Sequence, residues 1–523
     1  MGLLTLIILL PLIGMIISLV ISKKVMWIAR IINPVVALGQ IVVWFMLNRF
    51  TPNVENGFKY IESLRWINLS LGDIGSLKID YLLGADGLTM ALMGLSIIIF
   101  FFAGIASIKT AVKPQGFFAL MLLLNASIMG VFCSLDLFLF FVFFEFMLLP
   151  LYFLIGIWGG PRREYAALKF FLYTLVGSVF LLLVFVGLYL SFKSPETGSF
   201  SFSYFDLSNP ENALKGSLFH PDGMLFGFPA REVGFFVLLI AFCIKIPAFP
   251  FHTWLPDAHV EAPTAVSMVL AGVVLKVGAY GLIRFGYGLF PDVAFEFSYW
   301  VGLLGVISII YGAFNALAMK DIKKMIAYSS ISHMGFVLLG LASITIEGWS
   351  GAFYQMISHG FLSAMLFFIA GVFTNRVQSR EIDKFSGLTT LMPRFGAFVT
   401  IAFFASLGLP GFSAFIAEIM VLFGAFGSES INQLVPRWMA IAATGGIILG
   451  AAYFLWTLQR MFFGKPKFEN PEWKEKLTDL TTIEWLVLLP LAIFALVLGV
   501  FPQVLVDIFN NTVILLIDQL AIS

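Results

Sequence analysis

The chain has 523 residues, of which 60% are hydrophobic and only 12% charged, with a mean hydropathy of +0.97. A soluble domain carries about 25% charged residues, so this composition excludes an ordinary soluble fold and indicates a polytopic membrane protein. Lys and Arg number 31 against 30 Asp and Glu, which leaves no basic excess to bind nucleic acid, and the two cysteines, Cys133 and Cys243, lie far apart in apolar runs that suggest neither a disulfide framework nor a metal or iron–sulfur site.

A spanning helix needs about twenty apolar residues. About fourteen such segments are predicted, at 2–22, 27–48, 82–107, 115–133, 135–157, 166–192, 232–250, 263–288, 297–318, 323–342, 348–373, 395–425, 437–463 and 482–503. The first has no charged leader and no small-residue cleavage site, and is read as a retained helix. The tail after Val504 is amphipathic and is expected at the surface or packed on the bundle. The two longest polar connections, 49–81 and 193–231, carry turn formers such as Thr51-Pro52-Asn53 and Ser208-Asn209-Pro210.

Twenty of the 31 Lys and Arg residues fall in the connections after segments 1, 3, 5, 9, 11 and 13, among them Lys23 and Lys24, and nine fall on the opposite side. Positive charge stays with the cytoplasm, so both termini are expected on the non-cytoplasmic side of a bacterial inner membrane. The remaining two, Lys245 and Lys276, sit inside apolar segments. Between them Pro247, Pro250 and Pro256 break the helix and free backbone carbonyls, which is tolerated at membrane depth only beside a cavity or inside protein. Segment 12 is interrupted in the same way at Gly408, Pro410 and Gly411, with Glu418 following. Two breaks five segments apart have opposite orientations. They predict an all-α membrane fold with two inverted five-helix repeats, each with one broken helix, at 113–290 and 297–464, flanked by 1–112 and 465–523.

The embedded ionisable groups form a short series: Glu145, Lys245, Lys276, His333, His359 and Glu418. A charge at bilayer depth costs several kcal/mol and is retained where it pairs or handles ions. Lys245 is the expected partner of Glu145. Lys276 lies in a helix with Gly272, Gly278 and Gly281, which permits close neighbours, and both histidines lie beside small polar groups suited to water. A buried Glu–Lys pair can be purely structural, but an apolar pair of the same volume packs at lower cost, which favours function. His252 and His259 read as turn-stabilising, Asp136 as an interfacial or capping residue, and Lys169 as interfacial and a candidate modulator of Glu145.

The run K-I-P-A-F-P-F-H-T-W-L-P-D-A-H-V-E-A-P-T-A-V-S-M-V-L-A-G-V-V-L-K-V-G-A-Y-G, residues 245–281, resembles the signature of the antiporter-like subunits of respiratory complex I, a fold shared with multi-subunit sodium/proton antiporters and membrane-bound hydrogenases. The resemblance covers about 80–465. Within the family, F-F-E-F-M-L-L-P-L-Y-F-L-I-G-I-W-G-G, A-L-K-F-F-L-Y-T-L-V-G-S and Glu418 in the second broken helix are similar to the M-type members, equivalent to mitochondrial chain 4; L- and N-type members are expected to carry a lysine in place of Glu418. The chain ends soon after segment 14, without the long lateral helix expected of the L type. The resemblance implies a proton-translocating subunit of a NADH:quinone oxidoreductase with no redox centre of its own, FMN, iron–sulfur clusters and quinone belonging to other subunits. It implies L-type and N-type partners within a lipid bilayer. Glu145 and Lys245 would be a paired gate, Lys276, His333 and His359 a central relay, and Glu418 the terminal residue towards the outside. A subunit of a sodium/proton antiporter, or of a hydrogenase- or formate-linked complex, is the alternative.

Overall fold

The computed structural model describes residues 2–22, 25–49, 57–70, 76–110 and 112–522. Lys23, Lys24 and the expected turn at Thr51-Pro52-Asn53 lie outside them. The chain opens with α1 (Leu3–Val20) and α2 (Met26–Arg49), then a hairpin of β1 (Tyr60–Ser70) and β2 (Ser76–Ala85), then α3 (Gly87–Ala106). A first run follows: α4 (Pro114–Cys133), α5 (Leu137–Trp158, with a turn at Met147), α6 (Arg163–Ser191), the two halves α7 (Ala230–Lys245) and α8 (Trp254–Glu261), and α9 (Thr264–Tyr287). A second run repeats that order with α10 (Pro291–Ala318), α11 (Ile322–Ala342), α12 (Ile346–Val377), the halves α13 (Pro393–Ser406) and α14 (Ser413–Ile431), and α15 (Arg437–Met461). The chain closes with α16 (Thr482–Val500) and α17 (Gln503–Ile522). In each run the fourth crossing is the broken one, which is the inverted five-helix repeat expected from the prolines and glycines.

Among the described residues, 14 helices are long and apolar enough to cross a membrane, but one member differs from the fourteen predicted segments. Predicted segment 7 is the pair α7/α8, neither half of which is long enough alone. α17, expected as an amphipathic tail, qualifies by length and composition. Its contacts place it across the bundle end. Thr512 Oγ1 accepts a hydrogen bond from the N–H of Gly87, the first residue of α3, at 2.9 Å, and Phe509 packs edge-on against Phe353 near the start of α12. Leu516 and Gln519 share a cavity wall with Gly288 and Pro291, where α9 passes to α10. A helix touching the ends of three others on one side lies along that surface. With α7/α8 as one crossing, fourteen crossings remain.

The hairpin adds regular structure to 49–81, read as a polar connection, and corrects the start of the third helix at residue 82: Leu82–Ala85 belong to β2. Alternation in Y-I-E-S-L-R-W-I-N-L-S has the period of a strand rather than of a loop. β1 also holds the first helix in place, because Glu62 accepts from the N–H of Leu4 (2.7 Å) and Thr5 (3.2 Å), satisfying orphan donors at a positive helix end. Asp136 caps α5 as expected, accepting from Leu139 N–H at 2.9 Å and from Asp80 N–H at 3.3 Å. Burial pushes its carboxyl up to about 7 while those N–H groups draw it down.

Burial separates centre from periphery. The spanning windows of α9 and α12 are 100% buried, against 33% for α1, so the polar residues of α9 and α12 face protein and not lipid. Membrane helices gain little hydrophobic energy from touching each other, and close packing of small residues brings them together. A Cβ on Gly360 would come within 2.9 Å of Gly272 O, so α9 and α12 meet backbone to backbone.

Candidate functional site

That contact brings Lys276 to His359. Two π-helical turns, Leu270–Val274 and Leu282–Tyr287, flank Lys276, and wide turns of this kind loosen the regular bonding ladder and recur at functional sites. Ala271 O is free to accept from Lys276 Nζ at 2.5 Å, and the same amine lies 2.8 Å from His359 Nδ1, with Lys276 fully buried. The His359 ring centroid is 5.5 Å from that of His333. His333 Nδ1 lies 3.2 Å from Gln355 Nε2 and 3.5 Å from Glu418 Oε1. Lys276, His359, His333 and Glu418 thus form one file that starts at the last helix of the first repeat and crosses into the second. Ser329, Ser330, Ser363 and Ser406 line a cavity of about 10 Å³ against both histidines, the scale of one water molecule in a wall of hydroxyls.

The second break is shaped around Glu418. Gly408 has φ +78°, a left-handed conformation that favours glycine, and a Cβ there would lie 2.5 Å from Glu418 Oε2. α13 therefore stops where the carboxylate arrives, and Glu418 is only 3% exposed.

The first break is different. Gly278 lets α9 press against the end of α7, since a Cβ there would meet Ile246 N at 2.8 Å and Lys245 Cβ at 2.9 Å. Lys245 is 1% exposed, and among the described residues its Nζ has no hydrogen-bond partner. Its ammonium lies over the rings of Phe144 (4.8 Å) and Phe170 (5.6 Å), a cation–π seat. Glu145 is near enough to act on it electrostatically, yet the two make no contact ion pair, and among the described residues the buried Glu145 Oε1 has no hydrogen-bond partner. The expected direct pairing is corrected to a neighbouring but separated couple: the adjacent Phe144 holds the amine that the carboxylate was expected to hold.

Other expectations change with the geometry. Lys169 Nζ bonds Asp257 Oδ2 at 2.7 Å, so its partner is α8 and not Glu145. His259 sits inside α8, flat on Phe367 at 4.1 Å, and His252 packs against Phe249 and Tyr311; both rings are buried, and among the described residues none of their nitrogens is hydrogen-bonded, so neither stabilises a turn by such a bond. Arg284, one of the nine cations assigned by sequence to the side opposite the cytoplasm, lies inside α9 and pairs with Asp86 at 2.5 Å, with both side chains 3% exposed or less. Gln355 was overlooked, although it lies one turn before His359 and so on the same helix face.

The family described as NADH:quinone oxidoreductase/Mrp antiporter, TM matches residues 134–444, which cover both breaks. NADH-quinone oxidoreductase subunit M of Rhodobacter capsulatus is 38% identical over 92% of this chain and 90% of its own length. The chloroplastic NAD(P)H-quinone oxidoreductase chain 4 of Chaetosphaeridium globosum is 37% identical over 90% of this chain and 88% of its own. A chain of respiratory complex I from Thermus thermophilus superposes with a TM-score of 0.82 at 28% identity, covering 99% of each chain. A chain of the Mrp complex from Dietzia sp. DQ12-45-1b shares the fold, with a TM-score of 0.79 at 20% identity over 98% of this chain and 97% of that one. On these matches, over more than half of its length and through both broken helices, the chain belongs to the membrane-subunit family of NADH:quinone oxidoreductases and Mrp antiporters.

Proposed function

We propose that this multi-pass chain is a proton-translocating membrane subunit of a bacterial NADH:quinone oxidoreductase, an M-type member placed among L-type and N-type partners in the inner membrane. The observation that carries the reading is the buried Lys276 amine, bonded to a histidine at 2.8 Å and continued through a second histidine to Glu418. Each link is a group that holds and releases a proton. The identity of 37–38% to quinone-oxidoreductase subunits favours this reading over a sodium/proton antiporter subunit, where only the fold is shared.

In this mechanism quinone reduction occurs in other subunits, where FMN and iron–sulfur clusters also reside, and reaches this chain as a shift of charge. Glu145 and Lys245 form the gate. When the carboxylate swings onto the ammonium, Lys276 no longer feels that free positive charge and takes up a proton. When they separate, as in this structure, the freed ammonium drives the proton on through His359 and His333 to Glu418 and out. Closing two unit charges to about 4 Å is worth roughly 4 kcal/mol at an effective dielectric of about 20. Lifting one proton against the membrane costs about 2.3 kcal/mol per 100 mV. For a couple that already lies close, the gain on closing is at most this, the same order as the cost of lifting one proton. The cation-rich connections would face the cytoplasm and both termini, with the hairpin and α17, the outside.

The test is Lys276→Met in the assembled complex reconstituted into liposomes. The expected result is an intact complex whose NADH-driven proton uptake is lost; uptake at the wild-type ratio of protons to electrons would overturn the reading. Exchange of sodium for protons with no dependence on NADH would point to the antiporter alternative.

A further inference from the structure

Two groups compete for one nitrogen in the file. Gln355 on α12, 1% exposed, brings its amide Nε2 to 3.2 Å from His333 Nδ1. Glu418 on α14 brings Oε1 to 3.5 Å from the same atom. An amide nitrogen only donates and a carboxylate oxygen only accepts, so the two call for opposite states of Nδ1. With the amide nitrogen at hydrogen-bond distance, Nδ1 is bare and the neutral imidazole carries its proton at Nε2. A bare nitrogen offers the carboxylate nothing, which fits a Glu418 contact longer than the usual bond of about 2.7–3.2 Å.

The other end of the amide is free. Gln355 Oε1 is buried, and among the described residues it has no hydrogen-bond partner. A buried acceptor left unbonded loses its hydration for no return, so its presence calls for a reason. The two ends of an amide are nearly the same size, and a half-turn about the last side-chain bond exchanges them without repacking. Among the described residues the bond to His333 is the only hydrogen bond of this side chain, so nothing but the state of Nδ1 decides which end faces it. Ser406, on the wall of the same small cavity, has a buried Oγ that is also unpartnered among the described residues and could receive Nε2 after the turn.

We propose that Gln355 is a positioning residue that makes the transfer from His333 to Glu418 one-way, by turning its amide with the protonation of Nδ1. When Nδ1 carries a proton, Gln355 presents Oε1 to it and holds that N–H beside Glu418. The charged carboxylate is the stronger acceptor and takes the proton. The Nδ1–H bond breaks and an O–H bond forms, so an imidazolium and a carboxylate become a neutral imidazole and a carboxylic acid. The amide then turns, and its Nε2 covers the bare Nδ1, which is the arrangement in this structure. The carboxylic acid finds no open lone pair to return its proton to, and releases it outward. The drive still comes from the gate; the amide slows only the return. The proposal rests on the proton-translocating reading and fails separately from it.

The experiment compares Gln355→Met, Gln355→Met with Glu418→Gln, and Lys276→Met in the purified complex in liposomes. Two quantities are read: NADH-driven proton uptake, and the reverse proton flux through the complex in acid-loaded vesicles without NADH. Methionine keeps the length of the side chain and removes both ends of the amide. In Gln355→Met, uptake should slow about fivefold, the size of one lost hydrogen bond, and reverse flux should rise above wild type. The added Glu418→Gln should abolish that reverse flux, which a packing defect would not do. Wild-type uptake and reverse flux in Gln355→Met would overturn the proposal, as would a reverse flux that survives Glu418→Gln. Wild-type uptake in Lys276→Met would sink the functional reading itself. Where methionine disturbs assembly, Gln355→Glu decides: as an acceptor it cannot cover a bare Nδ1, and an unchanged reverse flux there would overturn the proposal.

Discussion

The two broken helices follow one plan to different ends. At the second break the backbone bends around the functional group: Gly408 yields space, and Glu418 lies within reach of His333 at 3.5 Å. At the first, Lys245 has no hydrogen-bond partner among the described residues and Glu145 stands apart, while two phenylalanine faces cushion the cation. A connected carboxylate suits a site of release, and a separated couple suits a gate whose energy lies in closing. Inversion of the repeat supplies both from one architecture.

Removing a member of the connected half should have the largest effect. Glu418→Gln is expected to lower NADH-driven proton uptake more than about tenfold, since it raises the barrier of the terminal transfer by more than about 1.4 kcal/mol. Stopped-flow uptake in liposomes checks this, and an unchanged rate would place the exit elsewhere. Asp86→Ala is the control outside both breaks, because it strands Arg284 in a buried contact pair. It should cost about 3–5 kcal/mol, read as loss of assembled complex or a lower melting temperature. Glu145→Gln sharpens the contrast, for it breaks no contact pair: uptake should fall while the melting temperature barely moves. A drop in stability like that of Asp86→Ala would mean that the couple is a structural pair after all. Gly408→Ala should cost about 1–2 kcal/mol from the left-handed backbone alone and also push Glu418 off His333. The smallest effect is expected for Asp136→Ala, about 1 kcal/mol for a lost cap, visible as a melting shift with uptake per electron unchanged.

The bundle and its inverted repeats could be read from sequence because bilayer thickness sets the length of an apolar run and because proline and glycine break helices by local sterics. The relay could be listed for a related reason: a charge in an apolar run is costly wherever the chain takes it. Whether two such charges touch depends on rotamers and neighbouring rings, and there the reading of Glu145 and Lys245 as a direct pair failed. The hairpin escaped notice because β1 was passed over as polar connection, although its alternation was in plain view. Arg284 could not be matched from sequence alone with Asp86, which only the packing of α3 beside α9 brings to it.

The central claim is that the Lys276 amine itself gives up a proton to His359. Lys276→Arg tests it most directly, since arginine keeps the positive charge and the donor to Ala271 O but does not deprotonate. Protons moved per electron in reconstituted vesicles should fall to background while the complex stays assembled. Pumping at the wild-type ratio would show that Lys276 contributes only its charge, and the file from Lys276 to Glu418 would not be the path.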